Sequence, residues 1–140
     1  MQALEPFARI VSNSVANYNP KAEGGWYLAS WRMLALALWE YRRGNDAACL
    51  NWLEKSSQCP DQATSCAAGV HIFRSMAARR SSRPELAEAE LKLGREMVDE
   101  YLNNKLELGN TKSGRLGGWI MNPIFLREAE RLASAARKTE

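Results

Sequence analysis

Apolar residues recur at steps of three and four along most of the chain, and polar residues gather at the joints between these stretches. Leu4, Phe7, Val11, Val15 and Tyr18 keep that spacing and predict a leading helix over 2–17. The polar stretch NYNPKAEGG follows. The same spacing predicts a first helix pair over 26–57, running from Trp26 to Arg43 and then from Asp46 to Ser57. A second pair over 62–104 runs from Gln62 to Arg80 and from Pro84 to Asn104. A polar loop over 105–118 then leads to a closing helix over 119–138. Pro20, Pro60, Pro84 and Pro123 sit at predicted joints, β-branched clusters are absent, and Ala, Leu, Glu, Arg and Met dominate. The predicted class is all-α.

The joints have local causes. Gly44 can take the left-handed conformation that closes a helix, and Asn45 or Asp46 can cap the next one. Ser81, Ser82 and Pro84 do comparable work in the second pair, with proline tolerated in a first turn. Asn122-Pro123 reads as a further helix start, or as a proline in the first turn of a helix begun near Trp119.

A shift of 38 residues lays Gly44 on Ser82, Ala37 on Ser75, Cys49 on Ala87, Leu53 on Leu91 and Ser56 on Gly94. Each pair thus carries small residues at the same distances from its turn, with a leucine between the last two. Two antiparallel helices need small side chains where their backbones come closest, because protein interiors pack at crystal density. Cys49 and Ser56 are therefore expected to be packing residues on a crowded apolar face.

Small residues at this spacing around a helix–turn–helix resemble tetratricopeptide repeats, whose period is 34 residues. LALALWEYRRGNDAACLNWLEKS resembles one such repeat, and FRSMAARRSSRPELAEAELKLGREMV resembles a second. The longer period here is accommodated in QCPDQATSCAA, outside the helix pairs. Met33 stands where the family often has Trp, and Ser82 replaces the turn glycine. With Trp119 and the stretch FLREAERLA, residues 20–133 also resemble the C-terminal tails of large planctomycete-type serine/threonine kinase and WD-repeat proteins. No glycine-rich phosphate loop, H-R-D or D-F-G occurs here, so the resemblance implies an accessory segment without catalysis. The leading helix resembles the second helix of a preceding repeat, which would make the chain a piece of a larger protein.

The resemblance implies an α-solenoid fragment, a right-handed stack of helix pairs whose first helices line a concave groove. It places Trp31, Leu34, Leu38, Tyr41 and Arg42 of the first pair on that groove, with Ile72, Met76, Arg79 and Arg80 of the second. An apolar floor with an arginine rim suits a peptide carrying acidic groups. The same stripe is also what an ordinary core face looks like. The family's carboxylate clamp needs Lys and Asn where Leu34 and Leu38 stand, so that activity is not implied.

Bulk composition narrows the classes. The 140 residues suit one domain with a real core, at 46% hydrophobic and 25% charged. A net charge of +3 is too small to argue for nucleic acid by itself. Arg9, Arg32, Arg42, Arg43, Arg79, Arg80 and Arg83 could form a basic stripe, but acidic residues interleave and no aromatic–basic platform stands out. No apolar run approaches membrane-spanning length and no secretory signal is visible. Three cysteines without a C-x-x-C fit a reducing, cytoplasmic compartment.

Candidate chemistry is sparse. Cys49, Cys59, Cys66 and His71 match no compact zinc-site spacing, so neither metal nor cofactor is expected. The single histidine, His71, has apolar neighbours Val70 and Ile72 and reads as packed. Glu88/Glu90 and Glu128/Glu130 are two apart and point to different sides of a helix. The expectation is a protein-binding or scaffolding module, not an enzyme, with an acidic peptide or protein as partner. A basic nucleic-acid-binding repeat is the alternative, as is self-association through exposed end helices.

Overall fold

The computed structural model describes residues 5–19, 25–60, 62–104 and 116–137. All regular structure among them is helical, in the order α1 (Glu5–Ala16), α2 (Gly25–Arg42), α3 (Asp46–Ser57), α4 (Thr64–Arg80), α5 (Pro84–Asn104) and α6 (Leu116–Arg137). The expected loop over 105–118 lies outside the described residues as far as 115. The closing helix begins at Leu116, earlier than the pattern predicts. Pro123 is accordingly an interior residue of α6, although a proline removes a backbone bond and clashes with the preceding turn. Packing on both sides of it holds the helix together, through Trp119 before it and Phe125 after it.

The chain divides into two compact units, Met1–Gln62 and Ala63–Glu140. The first holds α1, α2 and α3. Helices α2 and α3 form an antiparallel hairpin closed on Ala37, Cys49, Leu53 and Ser56, all fully buried. Ser56 has no apolar surface to give this seam, but its Oγ donates to the Ser30 carbonyl at 3.0 Å. That bond removes most of the cost of burying a hydroxyl. Gln62 Nε2 closes the end of α3 by donating to the Ser56 carbonyl at 3.0 Å.

The second unit repeats the hairpin in α4 and α5 and adds α6. Ser75, Ala87, Leu91 and Gly94 occupy the buried seam. Leu53 and Leu91 each contribute about 1.5–3 kcal/mol through burial. Helix α6 lies against α4 and α5 and buries Trp119, Asn122, Leu126, Ala129 and Ala133, a run at steps of three and four. The Trp119 and Tyr101 rings stack 3.8 Å apart at 4°. Phe125 meets Phe73 at 4.7 Å with the rings tilted. Asn122 Nδ2 donates to the Ser65 carbonyl in the first turn of α4 at 2.8 Å, and Arg95 reaches Glu130 at 2.9 Å.

The two turns match bond for bond. Gly44 N–H donates to Tyr41 at 3.0 Å and Asn45 N–H to Glu40 at 2.9 Å. At the same offsets Ser82 N–H donates to Arg79 at 3.1 Å and Arg83 N–H to Ala78 at 2.9 Å. This is the reciprocal closure that a left-handed residue permits at a helix end. Among the described residues, Gly44 (φ 82°) and Ser82 (φ 56°) are the positive-φ positions. Asn45 then caps α3 by accepting from the Ala48 N–H at 3.3 Å, whereas α5 starts on Pro84, whose missing N–H needs no cap.

Three substitutions test this geometry. A Cβ at Gly44 meets nothing within 4 Å, so Gly44→Ala changes the backbone alone. It should lower stability by about 1 kcal/mol, while Ser82→Gly should leave it unchanged or raise it by up to about 1 kcal/mol. Chemical denaturation midpoints report both. At Gly94 a Cβ would stand 2.8 Å from Ile72 Cγ1 and 3.3 Å from the Ile72 backbone nitrogen. Gly94→Ala should therefore cost about 1–3 kcal/mol through overpacking, although alanine is the better helix former.

Candidate functional site

The nine residues implied for a concave groove fall into both units, and the structure treats them unequally. In the first unit Leu34 and Tyr41 are buried, Trp31 and Leu38 half-buried, and Arg42 exposed. In the second, Ile72 and Met76 lie in the core at 0% and 1% exposure. Those two side chains present no surface to a ligand. Arg79 pairs with Glu88 across the α4–α5 hairpin, and Arg80 is exposed.

His71 does more than pack. Its Nδ1 lies 2.6 Å from Glu90 Oε2, and Arg74 Nη1 lies 3.5 Å from the other carboxylate oxygen. Glu90, only 8% exposed, is thus held between two groups of α4. Burial pushes its carboxyl up, but the His71 hydrogen bond and the Arg74 charge outweigh burial and hold it below its ordinary value. The cluster ties α5 to α4. It joins a buried carboxylate to an imidazole and a guanidinium.

The cysteines contribute no bridge. Cys49, Cys59 and Cys66 are free and buried, and burial pushes the Cys59 thiol up, away from the reactive thiolate. Among the described residues no three His, Cys, Asp or Glu side chains gather as metal ligands. No described helix is long and apolar enough to cross a membrane.

A concavity lies in the first unit, between α1 and the α2–α3 hairpin. Helix α1 buries none of its residues fully. Phe7, expected on the inner apolar stripe, is 68% exposed, and Ile10 is 63% exposed. Ala8, Val11, Ser12, Ser14 and Val15 are partly covered. Loose seating leaves a cleft of about 580 Å³ lined by Glu5, Arg9, Ser12 and Asn13 of α1, by Leu36, Trp39 and Glu40 of α2, by Arg43 in the turn and by Trp52 of α3. A smaller pocket of about 200 Å³ adjoins it along Phe7, Val11 and Leu36.

Cations lie on aromatic rings across this unit. Arg43 stands 5.5 Å from the centre of the Trp39 ring and Lys55 4.6 Å from that of Trp52. Arg42 lies over Tyr41 at 5.8 Å, and Arg32 over Tyr18 at 5.4 Å. These are four separate cation–ring contacts that did not stand out in the sequence. Helical spacing conceals two of them: Trp39 and Arg43 are four apart, Trp52 and Lys55 three apart, so each pair shares a face. Trp39 and Arg43 were also legible as a stripe with Leu36, on a different face of α2 from Trp31, Leu34 and Leu38.

With this geometry in hand, comparison with protein-family models, with curated proteins and with solved structures gives no match.

The Glu90 cluster sets a pH dependence. Its folded-state pKa lies below that of the unfolded chain, so its stabilisation is present above about pH 4.3 and is lost as pH falls through the folded value. Glu90→Gln should cost about 1–3 kcal/mol near neutrality. Urea unfolding at about pH 7 and about pH 3.5 should show the gap between variant and wild type narrowing at the lower pH. An equal gap at both would contradict this assignment.

Proposed function

We propose that the chain is a non-catalytic protein-interaction module that binds a peptide or partner protein in the cleft between α1, α2 and α3. The observation that carries the reading is the cleft itself: about 580 Å³, lined by Leu36, Trp39 and Trp52 together with Arg9, Arg43, Glu5 and Glu40. Pockets of this size and mixed lining are typical of ligand sites. Tryptophan and arginine are also the side chains most enriched among residues that dominate binding energy. Stacking on Trp39 pre-organises the Arg43 guanidinium, which lowers the ordering cost of binding.

The repeated hairpin supports a tetratricopeptide-like array as the scaffold, with the first-unit cleft rather than the α4 stripe as the binding face. A scaffold role in a reducing, cytoplasmic setting fits three buried free thiols. Self-association is the second reading, favoured by Ile120 and Ile124, which stand 57% and 54% exposed on α6.

The test is capture of partners from lysate, comparing wild type, an Arg9→Glu/Arg43→Glu variant and an Arg42→Glu/Arg79→Glu/Arg80→Glu variant, with nuclease controls. A protein partner lost only with the first variant is the expected result. Retention by that variant would move the site off the cleft, and recovery abolished by nuclease would make nucleic acid the ligand.

A further inference from the structure

In the second unit, α5 and α6 each carry a strip of exposed residues on the side turned away from the core. On α5 the strip is Ala89, Leu93, Glu96 and Glu100, and on α6 it is Ile120, Ile124, Arg127 and Arg131. Both follow steps of four, three and four, the spacing that keeps a seam in line along two paired helices. An offset of 31 residues lays one strip on the other. Apolar residues then match apolar ones, Ala89 with Ile120 and Leu93 with Ile124. Carboxylates match guanidinium groups, Glu96 with Arg127 and Glu100 with Arg131.

The charges are opposite and weakly committed. The side chains of Arg127 and Arg131 make no ion pair or hydrogen bond among the described residues, because Glu130 is taken by Arg95. Glu96 faces Lys92 at 3.8 Å on the surface, an exposed pair that holds it little. Lys92 flanks the α5 strip and Glu128 the α6 strip, so each is offset in part without changing sign. Within one chain the strips do not meet. Helices α5 and α6 run antiparallel and touch through other faces, at Tyr101 with Trp119 and Arg95 with Glu130. Between two chains, α5 on α5 or α6 on α6 sets like charges together when parallel. Any antiparallel pairing sets charges on apolar side chains. Parallel α5 on α6 is the arrangement that satisfies both halves of each strip.

We propose that the chain self-associates by laying α5 of one copy parallel to α6 of a second, with Leu93 on Ile124, Glu96 on Arg127 and Glu100 on Arg131. The inference rests on the self-association reading and is independent of the cleft. The two strips differ, so the contact is heterologous, and each copy keeps its other strip for a further contact. The matched stretch is three helical turns, about 17 Å long. That is short of a standard interface, so the association is weak and reversible.

The test is sedimentation equilibrium over a concentration series, with circular dichroism confirming that each variant folds. Wild type should associate. Glu96→Arg/Glu100→Arg and Arg127→Glu/Arg131→Glu should each weaken association at least about tenfold. Mixing these two variants should restore it, and so should all four substitutions in one chain, because each opposes unlike charges again. Wild type that stays monomeric up to about 1 mM would overturn the proposal and the self-association reading together. Association that is indifferent to either reversal, or that the mixture does not restore, would overturn the strip pairing and leave self-association on another surface.

Discussion

Everything in both units depends on how closely two antiparallel helices can approach. Each hairpin seam sets residues with little or no side chain around one leucine: Ala37, Cys49 and Ser56 around Leu53 in one, Ser75, Ala87 and Gly94 around Leu91 in the other. Close approach brings backbone against side chain, as at Gly94, where Ile72 leaves no room for a methyl group. It requires a tight turn, and a tight turn requires a left-handed residue at Gly44 and Ser82. Turn and seam are two ends of one constraint. A bulkier residue at the seam would splay the helices and pull the turn bonds apart.

Beyond the hairpins the units diverge, and the divergence has a functional reading. Helix α6 fits onto its hairpin with stacked rings, a buried asparagine bond and a salt bridge. Helix α1 makes no comparable commitment: it buries no residue fully and leaves a cleft along its length. Dense packing resists deformation, whereas loosely covered elements open at low cost. A face that must admit a partner is better built the second way. The reading places binding on the unit with the weaker seal and rigidity on the unit with the stronger one.

Much of the fold is legible in the sequence because its causes are local. Helix periodicity, Gly44, Asn45 and Pro84 mark the joints within a few residues of where they occur, and the 38-residue offset announces the paired turns. Pro123 misleads because a proline normally marks a helix start; only the packing of Trp119 and Phe125 explains a helix that runs through it. The candidate site was less legible. Ile72 and Met76 look like groove residues because an apolar stripe reads alike whether it faces solvent or a neighbouring helix. The cleft depends on how loosely α1 sits, which no spacing rule encodes. The two-residue spacing of Glu88 and Glu90 separates them around the helix but does not say that Glu90 is the buried one; His71 and Arg74, nineteen and sixteen residues away, satisfy it.

The most direct test of the account is one substitution made at two equivalent positions. Cys49 and Ala87 stand 38 residues apart in sequence, and both are fully buried at the seam. Cys49→Leu and Ala87→Leu, followed by urea unfolding, measure whether the two hairpins share the same close contact. The account expects each variant to lose about 1–3 kcal/mol through overpacking. Wild-type stability in either would contradict it, because a leucine accepted at that point means the helices do not approach there.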